Sequence, residues 1–275
     1  MDQVARWRGG RWDPCNDGGM SRIFITGSAQ GIGAECARQL IDLGHEVVVH
    51  ARDQERAVAA VAANPGAAGC VTGELSSIAS TVGLAAQAND HGPFDAVIHN
   101  AGVGGGSSGR AETGDGLERI FHINVVGPYI LTALMPLAPR MIYLTSGLES
   151  QGGWRPDDLQ WATREWDGMQ AYSDSKLHDS MLAFELAARY PESIVNTVDP
   201  GWIKTKLGGP NAWDEVADGA ETQVWLATSE DEAATASGRY VKRREVYEPN
   251  PVVRDRAARG ALVAELERLT GLTLP

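Results

Sequence analysis

Apolar residues recur along the chain in two alternating patterns. Short unbroken runs, Ile23-Phe24-Ile25 within Arg22–Ile25 and Val47-Val48-Val49 within Glu46–His50, read as strands buried on both faces. Between them lie stretches with a helical period. In 33–43, Ala34, Ala37, Leu40 and Ile41 fall on one face, Arg38, Gln39 and Asp42 on the other, and Gly44 stops the helix. The cycle repeats with an Ala-rich helix at 54–63, a strand near 69–72 and a helix near 76–90. Strands follow at Ala96–His99, Met141–Thr145 and Ile194–Val198, with helices between them. Strands separated by helices predict a parallel sheet covered on both sides, an α/β doubly wound domain over 20–275. Residues 1–19 show neither period and are expected to form a loosely ordered extension ahead of Met20; the alternative is an arm packed on a neighbouring subunit.

Composition narrows the function classes. A chain of 275 residues suits one large α/β domain, and a formal net charge of −12 repels phosphate backbones, which disfavours nucleic acid as a partner. Cys15, Cys36 and Cys70 lie far apart without CxxC or Cys/His pairing, so neither a disulfide framework nor a zinc site is expected. His45, His50, His91, His99, His122 and His178 show no metal spacing. The longest apolar stretch, Val125–Ala138, is broken by Gly127, Pro128 and Pro136, and the first residues lack an apolar signal region. A cytoplasmic protein with no metal and no membrane association is the expectation.

The first strand leads into Thr26-Gly27-Ser28-Ala29-Gln30-Gly31-Ile32-Gly33. Glycines between strand and helix let backbone N–H groups approach a pyrophosphate at the positive helix end. The TGxxxGxG spacing resembles that of the short-chain dehydrogenases/reductases. Further marks follow in the family's order: His99-Asn100-Ala101-Gly102 after the fourth strand, Asn124 in a later helix, and Ser146 after a strand. Tyr172-Ser173-Asp174-Ser175-Lys176 then matches YxxxK, and Pro200-Gly201-Trp202-Ile203-Lys204-Thr205 matches PGxxxT. The resemblance covers nearly all of 20–275 and implies a Rossmann-type fold.

Tyr172 and Lys176 stand four apart, hence on one helix face one turn apart. A tyrosine with a pKa near 10 is a poor acid–base at neutral pH, and a nearby ammonium brings it towards working range. Ser146 can hold a substrate oxygen against the phenol. The resemblance implies that Lys176 also meets the nicotinamide ribose and that Asn124 supports a proton relay. It further implies that Gly27, Ser28, Gln30, Gly31, Ile32, Gly33, Asn100, Ala101, Gly102, Pro200, Gly201, Ile203 and Thr205 line the cofactor. Leu75 is expected beside it, and Glu74 against the adenine, where the family usually has Asp. Where NAD-using relatives place an acid after the second strand, this chain has Ala51 followed by Arg52. A guanidinium pairs with a 2′-phosphate and an acid repels it, so NADP(H) is the expected cofactor, although Asp53 stands one position beyond the acid slot.

The segment between Ser146 and Tyr172 is about twice the family's usual length and carries Trp154, Trp161 and Trp166. It resembles the branch of retinol dehydrogenases and protochlorophyllide-reductase-like enzymes, of bacterial type. The three Trp residues either line a substrate mouth or form the insert's own small core. Gly105–Gly109 matches GxSxG without the strand-to-helix elbow a hydrolase needs, and Lys242-Arg243-Arg244-Glu245 reads as a solvated turn. The expected activity is NADPH-dependent reduction of an apolar ketone or aldehyde, with a homodimer or homotetramer as the relatives' usual assembly. The alternatives are a catalytically silent NADP-binding scaffold and an epimerase or dehydratase of the longer-chain branch.

Overall fold

The structure, a computed structural model, describes residues 19–104 and 109–275. The expected extension, all but Gly19, and most of the Gly105–Gly109 stretch lie outside the described residues. Strands β1 (Arg22–Ile25), β2 (Glu46–Ala51), β3 (Gly69–Thr72) and β4 (Ala96–His99) alternate with helices α1 (Gly31–Asp42), α2 (Gln54–Ala63) and α3 (Ile78–His91). After β4 come α4 (Arg119–Phe121), a π-helical turn His122–Val126 and α5 (Gly127–Leu134), running on as one helix. Then follow β5 (Arg140–Leu144), α6 (Gly168–Arg189), β6 (Ile194–Val198), α7 (Val216–Thr228), α8 (Glu232–Thr235), the hairpin β7 (Arg239–Lys242) and β8 (Glu245–Tyr247), and α9 (Arg256–Thr270).

The strands form one sheet in the order β3-β2-β1-β4-β5-β6-β7-β8, parallel except for β8. Chain order reverses between β1 and β4, which opens a crevice at the carboxyl ends of the strands, where open α/β sheets bind ligands. One face of the sheet packs on α1, α2 and α7 through Ile23, Ile25, Val47, Val49 and Leu40. The other packs on α3, α5, α6 and α9 through Phe24, Val48, Tyr129, Leu182 and Leu262. Lys242–Glu245 forms the hairpin turn, with Arg243 and Arg244 at positive φ. Its charges are paired: Lys242 with Asp199, Arg243 with Asp214 and Arg244 with Glu221.

Helix α6 has no amphipathic pattern because it has no solvent face: every residue from Ser173 to Leu186 is buried. Helix α9 lies along it, fastened by Arg259, which donates from Nε to Glu185 Oε2 (3.0 Å) and from Nη1 to Val253 O (2.8 Å). The tail continues the cover, with Tyr129 Oη donating to Leu272 O. Two of the insert's Trp residues turn inward. Trp161 is buried against Ile120, Ala171 and Trp166 under the Arg164 guanidinium, and Trp154 packs edge-on against His178.

Candidate active site

The turn after β1 is built from side chains that face away from the crevice. Thr26 Oγ1 accepts the N–H groups of Asn100 and Ala101, and Asn100 Nδ2 donates to Thr26 O (2.9 Å). His50 Nδ1 accepts the Gly27 N–H (3.0 Å) while its Nε2 reaches Gly73 O (2.8 Å), so the ring is neutral with its proton on Nε2. Burial pushes its pKa down and keeps it so. Gly27 stands at φ +65° with Ala101 so close that a Cβ would lie 2.8 Å from Ala101 Cα. A Cβ at Gly33 would lie 2.3 Å from Asn100 Nδ2. These two positions accept only glycine, and the turn is held open as a cradle. Gln30, the residue before α1, makes no side-chain cap, so the first N–H groups of α1 are left for an anion. The cradle fits the pyrophosphate of a dinucleotide.

Ser28 departs from expectation. It is fully buried, its hydroxyl donates to Ile25 O and accepts His50 N–H, and its own N–H goes to His50 O. It braces the turn and has no donor left for a cofactor. Leu75 is likewise a core residue, packed against Gly127. Glu74 is half-buried and spends one carboxylate oxygen on Ser76 N–H. Pro200, Gly201, Ile203 and Thr205 form the segment after β6, and Thr205 Cγ2 lies 3.4 Å from where a Cβ on Gly31 would stand. That segment therefore passes over the cradle. Arg52 is exposed at the end of β2; its Nε donates to Asp53 Oδ2 (3.1 Å). Asp53 is the N-cap of α2, accepting Arg56 N–H at 2.8 Å, so its carboxylate is committed to the helix and its two arginines.

Lys176 and Asn124 meet at Gly102 by the carboxyl ends of β4 and β5, with Tyr172 one turn before Lys176 on α6 and Ser146 two residues past Leu144. Tyr172 is half-buried on the first turns of α6, and its hydroxyl makes no hydrogen bond among the described residues. Lys176, one turn on, is buried and donates from Nζ to Leu144 O (2.7 Å) and to Asp179 Oδ2 (2.8 Å). Burial opposes its charge, but the Asp179 carboxylate, together with Tyr172, outweighs that and holds its pKa above the usual lysine value. Ser146 is half-exposed just past β5, its Oγ accepting, among the described residues, only Leu148 N–H at 3.3 Å, which leaves the hydroxyl proton to donate outward. Asn124 sits within the π-turn, fully buried. Its Oδ1 accepts Val103 N–H, and its Nδ2 donates to Val103 O and Ser175 Oγ, tying the loop after β4 to α6. Gly102 lies between these groups: a Cβ there would stand 3.4 Å from Asn124 Oδ1 and 3.5 Å from Lys176 Nζ.

Three residues with no part in the expected site adjoin it. Asp179 is the counter-charge of Lys176, and His50 braces the cradle. Buried Glu149, three residues after Ser146, accepts Asn250 N–H at 2.9 Å and ties the turn after β5 to the carboxyl-terminal segment. The spacing of Asp179 from Lys176 is visible in the sequence, but its meaning depends on a helix buried all round. On the outer side of the crevice, Trp202, Leu207 and Trp213 are exposed, and the two indoles meet edge to face at 4.5 Å. By contrast Trp161 is buried and Trp154 packs against His178.

With this geometry, the chain was compared with known proteins. A family model described as short chain dehydrogenase matches residues 21–150. The short-chain dehydrogenase chyC of Penicillium rubens is 39% identical over 93% of this chain and 100% of its own length. Human retinol dehydrogenase 13 is 31% identical over 92% of this chain and 85% of its own length. Among solved structures, an uncharacterized protein from Mycobacterium paratuberculosis superposes with a TM-score of 0.80 at 26% identity, covering 93% of this chain and 95% of that one. The likeness to a retinol dehydrogenase agrees with the branch expected from the long insert. The expected bacterial type is not supported, since the relative at 39% identity is fungal.

Proposed function

Because the chain belongs to the short-chain dehydrogenase/reductase family, a family of NAD(P)-dependent oxidoreductases, we propose that it is an NADPH-dependent carbonyl reductase acting on a bulky apolar ketone or aldehyde. The observation that carries this is the convergence of Lys176 Nζ, Asn124 and Gly102 beside Tyr172, at the mouth of the glycine cradle. Gly27, Gly31, Gly33 and the first turn of α1 would hold the pyrophosphate, Arg52 the 2′-phosphate, and Lys176 the nicotinamide ribose. The bound nicotinamide supplies the hydride.

The chain's own residues supply position and the proton. Ser146, with its hydroxyl proton free to point outward, donates to the carbonyl oxygen and holds it beside the phenol. Tyr172 gives its proton to that oxygen as the carbon is reduced. The Lys176 ammonium, coupled to Tyr172, stabilises the phenolate that results. Asn124 holds the loop after β4 and α6 in register, so that the wall beside Lys176 keeps its shape. The exposed Trp202–Trp213 pair and Leu207 support an apolar substrate, because they present aromatic and aliphatic surface where polar residues would interact better with water.

NADPH consumption, followed at 340 nm against ketones, aldehydes and quinones from aliphatic to polycyclic, tests the proposal. Turnover is expected to rise with the apolar bulk of the substrate and to be stronger with NADPH than with NADH. No turnover with any carbonyl, alongside tight NADPH binding, would overturn it in favour of a silent cofactor-binding protein.

A further inference from the structure

Lys176 and Asp179 form an ion pair of unusual depth. Both side chains are about 4% exposed, the pair is three positions apart on α6, and Nζ stands 2.8 Å from Oδ2. The second carboxylate oxygen, Oδ1, is buried without a hydrogen-bond partner among the described residues. A buried carboxylate with an empty oxygen is costly, and its ordinary compensation is a full set of donors. Here the compensation is a single ammonium, the one belonging to the reducing site. Lys176 has the converse difficulty. Away from water an ammonium loses its proton readily, and the carbonyl of Leu144 offers it a dipole but no charge.

We propose that Asp179 is a positioning residue for this site: its carboxylate is the counter-charge that keeps Lys176 protonated and fixed against Leu144 O. Two consequences follow from the geometry. Lys176 spends two of its three protons on Asp179 and Leu144, which orients the third donor, and the ammonium's field acts on Tyr172 from one fixed position. The charge that Tyr172 needs beside it then persists to higher pH than an isolated buried lysine would allow. The proposal rests on the assignment of Lys176 to the reducing site and adds the residue that sets its charge.

Two phenols face the pair. From β5, Tyr143 faces Asp179, with its hydroxyl engaged by Thr132 on α5 at 2.6 Å. Tyr172 faces Lys176 from the same helix. On the other elements packed on α6, several charged or titratable side chains have partners of their own. Glu149 is bound to Asn250, His122 to Thr113, Arg254 to Glu248 and Arg259 to Glu185. Strand β6 contributes no titratable side chain.

The test is direct because the chain has four lysines, Lys176, Lys204, Lys206 and Lys242. In protein labelled at lysine Cε, four signals are followed by NMR through a pH titration and assigned with Lys→Arg variants of the other three. In the parent, Lys176 is expected to keep its proton beyond the ordinary lysine range. Its signal should also shift in the acid range as the neighbouring carboxylate titrates. In D179N the acid-range shift should vanish and the Lys176 curve should move down by at least about one pH unit, a tenfold change in its protonated fraction at a given pH. The alkaline limb of kcat/KM for carbonyl reduction should move down with it. A Lys176 curve unchanged by D179N overturns the proposal, whatever happens to stability or overall rate. If D179N does not fold, a parent Lys176 signal with no acid-range shift overturns it equally. The titration needs no turnover, so its failure is distinct from failure of the carbonyl-reductase assignment.

Discussion

Replacing Arg52 with Asp should move cofactor preference from NADPH towards NADH by on the order of a hundredfold. The local charge at the end of β2 is +1 from Arg52 and Arg56 against Asp53, with Asp53 held as the N-cap of α2 and 3.1 Å from Arg52 Nε. Arg52 is 54% exposed at its side chain, so its pairing with a 2′-phosphate is worth the low end of a charge-assisted hydrogen bond, roughly 1.5 kcal/mol. Its removal alone, as R52A, should cost NADPH about tenfold, at ~1.4 kcal/mol per decade. R52D also places a second carboxylate beside Asp53, and the added repulsion supplies roughly another tenfold. NADH, lacking the phosphate, should change little. Raising the salt should narrow the parent's preference, because the phosphate would lie at an exposed rim where screening is strong. D53N is the control: an Asn side chain can still accept Arg56 N–H and cap α2, so its loss of charge should neither unfold the helix nor move preference towards NADH. Dissociation constants for both cofactors by NAD(P)H fluorescence decide the matter. The same NADPH-to-NADH ratio in parent and R52D would show that Arg52 is only a loop charge.

Two further outcomes test the framework around the site. R259M removes the fastening of α9 to α6; because Glu185 keeps Arg189 as a partner at 2.8 Å, the expected cost is about 2–3 kcal/mol, a Tm fall of roughly 5–10 °C by scanning calorimetry. A fall under about 2 °C would mean that the pair does not hold the cover in place. E149Q tests the buried carboxylate beside the Ser146 turn, whose pKa burial pushes up to about 7 against the hydrogen bond from Asn250. With the folded pKa raised, its contribution to stability is present at low pH and is lost as pH rises through about 7. The parent should therefore lose Tm relative to E149Q between about pH 5 and 8, and a difference constant across that range would refute the assignment.

Much of the framework is legible in the sequence because buried parallel strands must be apolar on both sides. Ile23-Phe24-Ile25 and Val47-Val48-Val49 have no other explanation, and the helix after the glycine turn carries a clear stripe. Strands β7 and β8 are not legible, since Arg239–Lys242 and Glu245–Tyr247 are short, lie at one end of the sheet and mix charged with apolar residues. The π-turn that seats Asn124 is likewise hidden, because its apolar neighbours read as an ordinary helix. Within the site, residue types that carry chemistry announce themselves at Tyr172, Lys176 and Ser146. What each polar side chain faces does not: Ser28 turns inward to brace the cradle, and Asp179 becomes the counter-charge of Lys176 only because α9 and the sheet close over α6. The insert's Trp residues show the same limit, since spacing alone does not separate a lining aromatic from a buried one.

The central claim is that Tyr172 gives the proton during NADPH-dependent carbonyl reduction, and Y172F tests it most directly. The ring, half-buried at the start of α6, keeps its packing, and the hydroxyl it loses makes no hydrogen bond among the described residues, so the fold should not change. Steady-state reduction of the best carbonyl from the panel, measured beside the NADPH dissociation constant, should show kcat down by on the order of 10²–10⁴-fold with cofactor binding within a few fold of the parent. Turnover within tenfold of the parent, with NADPH bound as tightly, would contradict the account and remove Tyr172 from the reaction.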